Sequence, residues 1–151
     1  MKPRYRAWDK EENRWINIAS LVFDEEGELW YLSPVMDDFN PVYYENELGK
    51  TWEIMQSTGL KDKNGVEIFE GDILKCTSGI YTNLGATGTG EYEETIKQVV
   101  WKDDSWGTRV ISSNLTSKGA EKSGLVISAK YAEVIGNIHE NPKLLGQANE
   151  N

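Results

Sequence analysis

The sequence has little of what secreted or metal-binding proteins are built from, since Cys76 is its only cysteine and His139 its only histidine. One cysteine cannot form an intrachain disulfide, so a disulfide-stapled secreted scaffold is excluded. Cys76 ends an apolar run and is predicted to be a small buried hydrophobe rather than a nucleophile. A zinc site or a Ser-His-Asp triad would need partners for His139 that nothing in the sequence marks. We therefore expect neither a metal nor a cofactor.

Long apolar stretches are also missing. No segment approaches the roughly 18 apolar residues that a membrane span needs. The basic N-terminal segment Met1–Trp8 lacks the apolar run of a signal peptide. We therefore expect no contact with a membrane and a cytoplasmic location.

Positive charge is scarce, because 16 basic residues face 25 acidic ones and leave a net charge of −9. The electrostatic field of this negative charge repels phosphate backbones and favours a basic partner. The exception is the N-terminal strand, where Lys2, Arg4 and Arg6 alternate around Tyr5 and precede Trp8. Single-strand binders combine charge and rings in this way, although any amphipathic edge strand also alternates. A nucleic-acid-binding accessory protein, acting through this strand or a barrel, is therefore the alternative function.

Catalytic motifs are absent, as no nucleophile lies beside a base. The segment 62–67 superficially resembles a calcium loop, but Gly65 stands at its fourth place and Ile73 at its twelfth. The run Gly85–Gly90 has neither the Walker lysine nor the dinucleotide spacing. The surrounding segment Thr77–Glu94 is predicted to be a flexible loop between strands, long enough to take part in binding. The sequence therefore predicts no enzyme and no catalytic residue.

Strand-like runs separated by turn residues fill the first 50 residues. The segments 4–8, 14–23 and 28–32 predict an antiparallel β-meander, with a bulge near Ala19-Ser20 where the alternation changes phase. A connector follows up to residue 50, with a short turn of helix before Gly49. We assign residues 1–50 to this N-terminal subdomain.

The remaining residues predict a second, barrel-like domain over residues 51–145. Asn64-Gly65 predicts a two-residue type I′ hairpin that sets Leu60 opposite Phe69. Short antiparallel strands at this spacing favour an SH3-like barrel, which leaves no unpaired edges. A last turn of helix is predicted to begin at Pro142 and a disordered tail at residue 146. Further strand-like runs cover 51–55, 72–76, 95–101, 108–112, 125–127 and 131–138.

Aromatic residues are plentiful, with six tryptophans, seven tyrosines and three phenylalanines. Exposed aromatic side chains commonly form contact surfaces between proteins. We therefore predict a non-enzymatic interaction module that self-associates or binds another protein. Its predicted interaction surface comprises Arg4, Arg6, Trp30, Tyr31, Tyr43, Tyr44 and Trp106.

Four segments in order resemble the YopX family of bacteriophage and prophage proteins. They are 6–9, 55–74, 98–101 and 133–142, so the likeness spans nearly the whole chain as one YopX-type domain. The resemblance implies a phage-encoded, mostly β protein of the bacterial cytoplasm whose second half looks like an SH3-like barrel and which self-associates. It implies a homo-oligomer or a complex with a host or phage protein. It supplies no activity and no functional residues.

Overall fold

The computed structural model describes residues 4–35, 42–82, 87–114 and 116–147, without the side chains of 80–82 and 146–147. The chain is mostly β, as predicted. It divides into two compact units, Met1–Gln56 and Ser57–Asn151. The division lies within the strand Trp52–Lys61, six residues beyond the boundary that the sequence predicts. Residues 52–56 of that strand pair within the first unit, and residues 57–61 pair within the second.

The strands of the first unit pair antiparallel, which agrees with the predicted meander. Ala19 is the extra residue where the register of the second hairpin shifts, so the predicted bulge is confirmed. A 3-10 turn at Glu45–Glu47 precedes Gly49, as expected. The strands are β1 (Tyr5–Asp9), β2 (Arg14–Ile16), β3 (Ile18–Phe23), β4 (Leu29–Pro34), β5 (Tyr43–Tyr44) and β6 (Trp52–Lys61), whose first five residues pair with β1.

The core of the first unit is built around Trp52, which is completely buried. Its indole contacts a cluster that includes Ala7, Ile16 and Leu32, one residue from each of β1, β2 and β4. The indole N–H donates a hydrogen bond of 2.9 Å to the backbone carbonyl of Tyr44. A single aromatic side chain therefore joins most of the strands of this unit.

The second unit contains a five-stranded antiparallel sheet in the order β11-β10-β9-β8-β12. A separate short strand, β7, pairs with the end of β6. These strands are β7 (Glu67–Phe69), β8 (Asp72–Thr82), β9 (Thr87–Lys102), β10 (Ser105–Ser113), β11 (Glu121–Ser123) and β12 (Ala132–Asn137), and the helices are α1 (Leu125–Ser128) and α2 (Pro142–Gln147).

Alternating side chains bury both faces of the five-stranded sheet. Leu74 and Val99 point to one face, where Leu125 of α1 packs on them, and Cys76 is buried there as predicted. Ile73 and Ile96 point to the other face, where the leucines of α2 pack. Each helix therefore covers one side of the sheet.

Asp62 connects the β6–β7 turn to β12. Its Oδ2 accepts a hydrogen bond of 2.9 Å from the Val134 amide, and the Lys63 amide donates to the Ala132 carbonyl at 3.0 Å. The turn thus lies along the outer edge of β12, where it satisfies backbone groups that an edge strand would expose. This closure is compatible with the predicted SH3-like barrel.

The turn at Asp62 differs from the predicted type I′ hairpin, because Gly65 takes a positive φ of 82° and Asn64 does not. The Oδ1 atom of Asp62 accepts hydrogen bonds from the amides of Asn64 and Val66, which fixes a four-residue turn. The turn pairs Lys61 with Glu67, and two extra residues of β6 between Ser57 and Lys61 then set Ser57, and not Leu60, opposite Phe69, so the predicted register is wrong.

The first unit contains the same turn between β3 and β4. There Asp24 Oδ1 accepts hydrogen bonds from the amides of Glu26 and Glu28, and Gly27 has a φ of 83°. The carboxylate supplies the acceptors and the glycine supplies the left-handed backbone. Both Asp-x-x-Gly segments therefore fold by the same local rule.

The predicted flexible loop Thr77–Glu94 is wrong over most of its length. Strands β8 and β9 continue through it as a hairpin ribbon, with pairs from Thr77 opposite Glu94 to Thr82 opposite Thr87. Residues 83–86 lie outside the described residues. Backbone pairing orders this segment without a buried apolar face, because its residues from 87 to 92 are exposed.

The two helices differ in part from the predictions. The apolar run Leu125–Ile127, predicted as a strand, forms α1 instead. Helix α2 begins at Pro142 as predicted and extends to Gln147, so it includes the first residues of the predicted disordered tail. Residues 148–151 lie outside the described residues. Across the described ranges, no helix has the length and apolar character needed to cross a membrane.

Candidate functional site

Three of the predicted surface residues meet on the β4–β5 hairpin, and we call Trp30, Tyr31 and Tyr44 the aromatic surface. The Trp30 and Tyr31 ring centroids are 5.4 Å apart at 69°, and those of Tyr31 and Tyr44 are 6.1 Å apart at 54°. Trp30 and Tyr44 each keep 53% of their surface exposed. The three rings form a row with edge-on and tilted contacts, the geometry that aromatic quadrupoles prefer.

Local backbone geometry explains this row. Tyr31 and Tyr44 are directly opposite in the β4–β5 pair. Trp30 is the extra residue of a bulge, since Val22 pairs with Tyr31 and Phe23 pairs with Leu29. A bulge changes the direction of a side chain, which allows sequence neighbours to bring their rings together.

Tyr43 does not belong to this surface, contrary to its predicted exposure, because it is only 8% exposed. Neighbouring residues on a strand point to opposite faces, so Tyr44 faces outward while Tyr43 packs against Trp52 at 5.7 Å. The Tyr43 hydroxyl donates a hydrogen bond of 2.7 Å to Asp9 Oδ2. Burial and then this bond to the Asp9 carboxylate raise the pKa of Tyr43 to about 12.

Replacing Tyr43 with phenylalanine should cost about 1 kcal/mol, the usual net contribution of one hydrogen bond. The raised pKa means that the phenol stabilises the fold fully below its ordinary pKa of 10.0 and loses this effect as the pH rises through about 12. Ultraviolet titration should therefore lose the tyrosine step near pH 12 in Tyr43→Phe. An unchanged titration curve would contradict the assignment.

An acidic hollow of about 370 Å³ adjoins the aromatic surface. Its walls include the side chains of Asp9, Glu11 and Glu47, together with Tyr44. Asp9 is itself held in place, since its Oδ1 accepts hydrogen bonds of 2.9 Å from the amides of Glu11 and Glu12. Carboxylates beside an exposed ring are suited to a cationic side chain.

The remaining predicted surface residues have other surroundings. Arg4 is exposed. The Arg6 guanidinium stacks on the ring of Trp15, 4.7 Å from its centroid, so this arginine packs within the first unit. Trp106 belongs to the second unit, where it is partly buried against the core and forms a T-shaped pair with Trp101 at 4.8 Å.

Sequence reasoning missed some exposed apolar side chains. Trp101 is 52% exposed, and Val126, Ile127 and Tyr131 of the α1 region are each more than 60% exposed. The sequence predicts a strand at residues 125–127, so it does not predict that the side chains of Val126 and Ile127 point outward. In the described part of the chain, no group of three or more His, Cys, Asp or Glu side chains is arranged to hold a metal ion.

Comparisons with known proteins bear on the whole chain. The family model described as YopX protein matches residues 4–146. The crystal structure of protein EF1440 from Enterococcus faecalis is similar over 96% of this chain and 99% of that one, with 27% sequence identity and a TM-score of 0.54. No protein with a curated description matches. The chain therefore belongs to the YopX family.

Proposed function

We propose that this protein is a non-enzymatic interaction module, encoded by a phage or prophage, that binds another protein through the aromatic surface. The partner is a second copy of the chain or a host or phage protein in the bacterial cytoplasm. The observation that carries the proposal is that Tyr44 belongs both to the aromatic surface and to the wall of the acidic hollow.

The two neighbouring features define the chemistry of the partner. Exposed tryptophan and tyrosine rings bury large apolar area with little loss of side-chain freedom, and they often dominate binding energy. The carboxylates of Glu11 and Glu47 favour a lysine or arginine next to that apolar contact. A partner segment that pairs a basic side chain with an apolar one fits both features.

The double variant Trp30→Ala/Tyr44→Ala tests the proposal. Both side chains are half exposed, and the Tyr44 carbonyl that Trp52 uses is retained, so the fold should be preserved. We expect at least a tenfold weaker association, because buried aromatic anchors are the residues whose truncation costs most. Sedimentation across a concentration series measures self-association, and a pull-down from lysogenic cells measures other partners.

Trp101→Ala is the matched control, since Trp101 is an equally exposed tryptophan on the other unit. It should leave association unchanged. If the double variant, Trp101→Ala and the wild type all associated equally strongly, the proposal would be overturned. Tight, salt-sensitive binding of DNA or RNA by the wild type would favour the nucleic-acid alternative instead.

A further inference from the structure

One face of the five-stranded sheet changes from apolar to polar along its length. Near α1 it carries Leu74 and Val99, which are buried in the core. Farther along the same strands, the same face carries Cys76, Thr95 and Lys97. There the sheet surrounds a polar hollow of about 360 Å³. This volume is within the range of pockets that hold small organic molecules.

The strand register places two lysines and a threonine side by side in the polar hollow. Lys97 of β9 lies opposite Val110 of β10, and Thr108 of β10 lies opposite Lys122 of β11. Positions 108 and 110 share a face because strand side chains alternate with a period of two. The three polar side chains therefore cross three adjacent strands on the face that lines the hollow.

Two of these polar groups form no hydrogen bond or close ion pair within the described residues. Thr108 is 4% exposed, and its hydroxyl makes no hydrogen bond to the described part of the chain. Lys97 is half buried and has no carboxylate within 4.0 Å among the described side chains. By contrast, Lys75 on the opposite face pairs with Glu94 at 3.1 Å. Both side chains line the hollow, where they are placed to donate hydrogen bonds to a bound anion.

The polar hollow also carries negative charge, because Glu93 lies four residues before Lys97 on the same face of β9. Oε1 of Glu93 accepts hydrogen bonds from the hydroxyls of Thr116, Ser113 and Thr95. The bond from Thr116 is the main reason that the pKa of Glu93 lies below its ordinary value. The lining of the hollow therefore combines two lysines and the Thr108 hydroxyl with the carboxylates of Glu93 and Glu121.

We propose that the polar hollow binds a small organic anion, a molecule whose phosphate or carboxylate group lies among Lys97, Thr108 and Lys122 and whose hydrogen-bond donor faces Glu93. The shared requirement is an anionic group at one end and an N–H or O–H group at the other. This site lies wholly within the second unit and does not depend on the aromatic surface.

Nuclear magnetic resonance titration of the full chain tests the site. The probes are adenosine monophosphate for a phosphate, glutamate for a carboxylate, inorganic phosphate for the anion alone and adenosine for the uncharged case. We expect saturable shifts of the Lys97 and Thr108 amides with one of the organic anions, and none with adenosine. The same ligand should slow alkylation of Cys76 by iodoacetamide, because this thiol lines the hollow.

Two variants and a control distinguish a site from general charge effects. Lys97→Met removes the cation, and Thr108→Val removes only the hydroxyl, so either should weaken binding about tenfold. Lys75→Met removes a lysine from the other face and should change nothing. Far-UV circular dichroism checks that each variant folds. No saturable binding of any probe, or equal binding by both site variants and the wild type, would overturn the proposal.

Discussion

Replacing Trp52 with alanine is expected to destabilise the first unit by about 4 kcal/mol, the upper part of the range for large-to-small core changes. Trp52 is completely buried, and its indole N–H satisfies the Tyr44 carbonyl. The substitution leaves a cavity among Ala7, Ile16 and Leu32 and removes that hydrogen bond. Because the total stability of a small unit is only several kcal/mol, the substitution should remove a large part of it.

Trp30→Ala is the matched control for Trp52, since both are tryptophans of the first unit and Trp30 is 53% exposed. It should change stability by less than about 0.5 kcal/mol. Urea unfolding followed by far-UV circular dichroism measures both variants without relying on tryptophan fluorescence. Similar unfolding midpoints for the two variants would contradict the central position of Trp52 in this core.

Asp62→Asn is expected to destabilise the second unit by about 3 kcal/mol. The two carboxylate oxygens accept hydrogen bonds from three backbone amides, those of Asn64, Val66 and Val134. An asparagine has only one acceptor oxygen, so its NH₂ group would face a backbone N–H. The side-chain bond to β12 would be lost, and only the backbone bond from Lys63 to Ala132 would still join the turn to that strand.

The pH dependence of this effect has a definite sign. Burial opposes ionisation of Asp62, but the hydrogen bonds from Val134, Val66 and Asn64 outweigh it and lower its pKa below the ordinary value of 3.8. The carboxylate therefore stabilises the fold fully above pH 3.8, and this contribution is lost as the pH falls through the lowered pKa. The stability difference between wild type and Asp62→Asn should shrink over that acidic range.

Asp24→Asn provides a control within the same molecule, because Asp24 holds an identical Asp-x-x-Gly turn. That turn is exposed, so the substitution should cost less than about 1 kcal/mol. Urea midpoints at neutral and acidic pH measure both variants. An equal loss at the two aspartates would show that the turn, and not the contact with β12, accounts for the effect of Asp62.

Local patterns in the sequence predict most of this fold. Strand alternation, the bulge at Ala19, the helix start at Pro142 and the burial of Cys76 all depend on residues close in sequence. The run Leu125–Ile127 is too short for periodicity to distinguish a helix from a strand. The ribbon within Thr77–Glu94 lacks a buried face at its outer end, so no apolar alternation marks it.

Local sequence patterns also predict part of the candidate sites. Tyr43 and Tyr44 are adjacent on a strand, and the alternation of side chains implies that only one of them can face outward. Glu93, Thr95 and Lys97 also occupy alternate positions of one strand and therefore share a face. The sequence predicts a loop at Glu93, so it does not predict that common face. The partner of Asp62 lies 72 residues away, and no local rule predicts such a contact.

The separation between Asp62 and Val134 also orders events during synthesis on the ribosome. Met1–Gln56 is continuous in sequence, so the first unit can fold as soon as it emerges, the common behaviour of N-terminal domains. The turn at Asp62 can form early because its own amides are nearby. Its bond to β12 must wait until Val134, 72 residues farther along the chain, has left the exit tunnel, so we expect the second unit to acquire its final stability well after the first unit has folded.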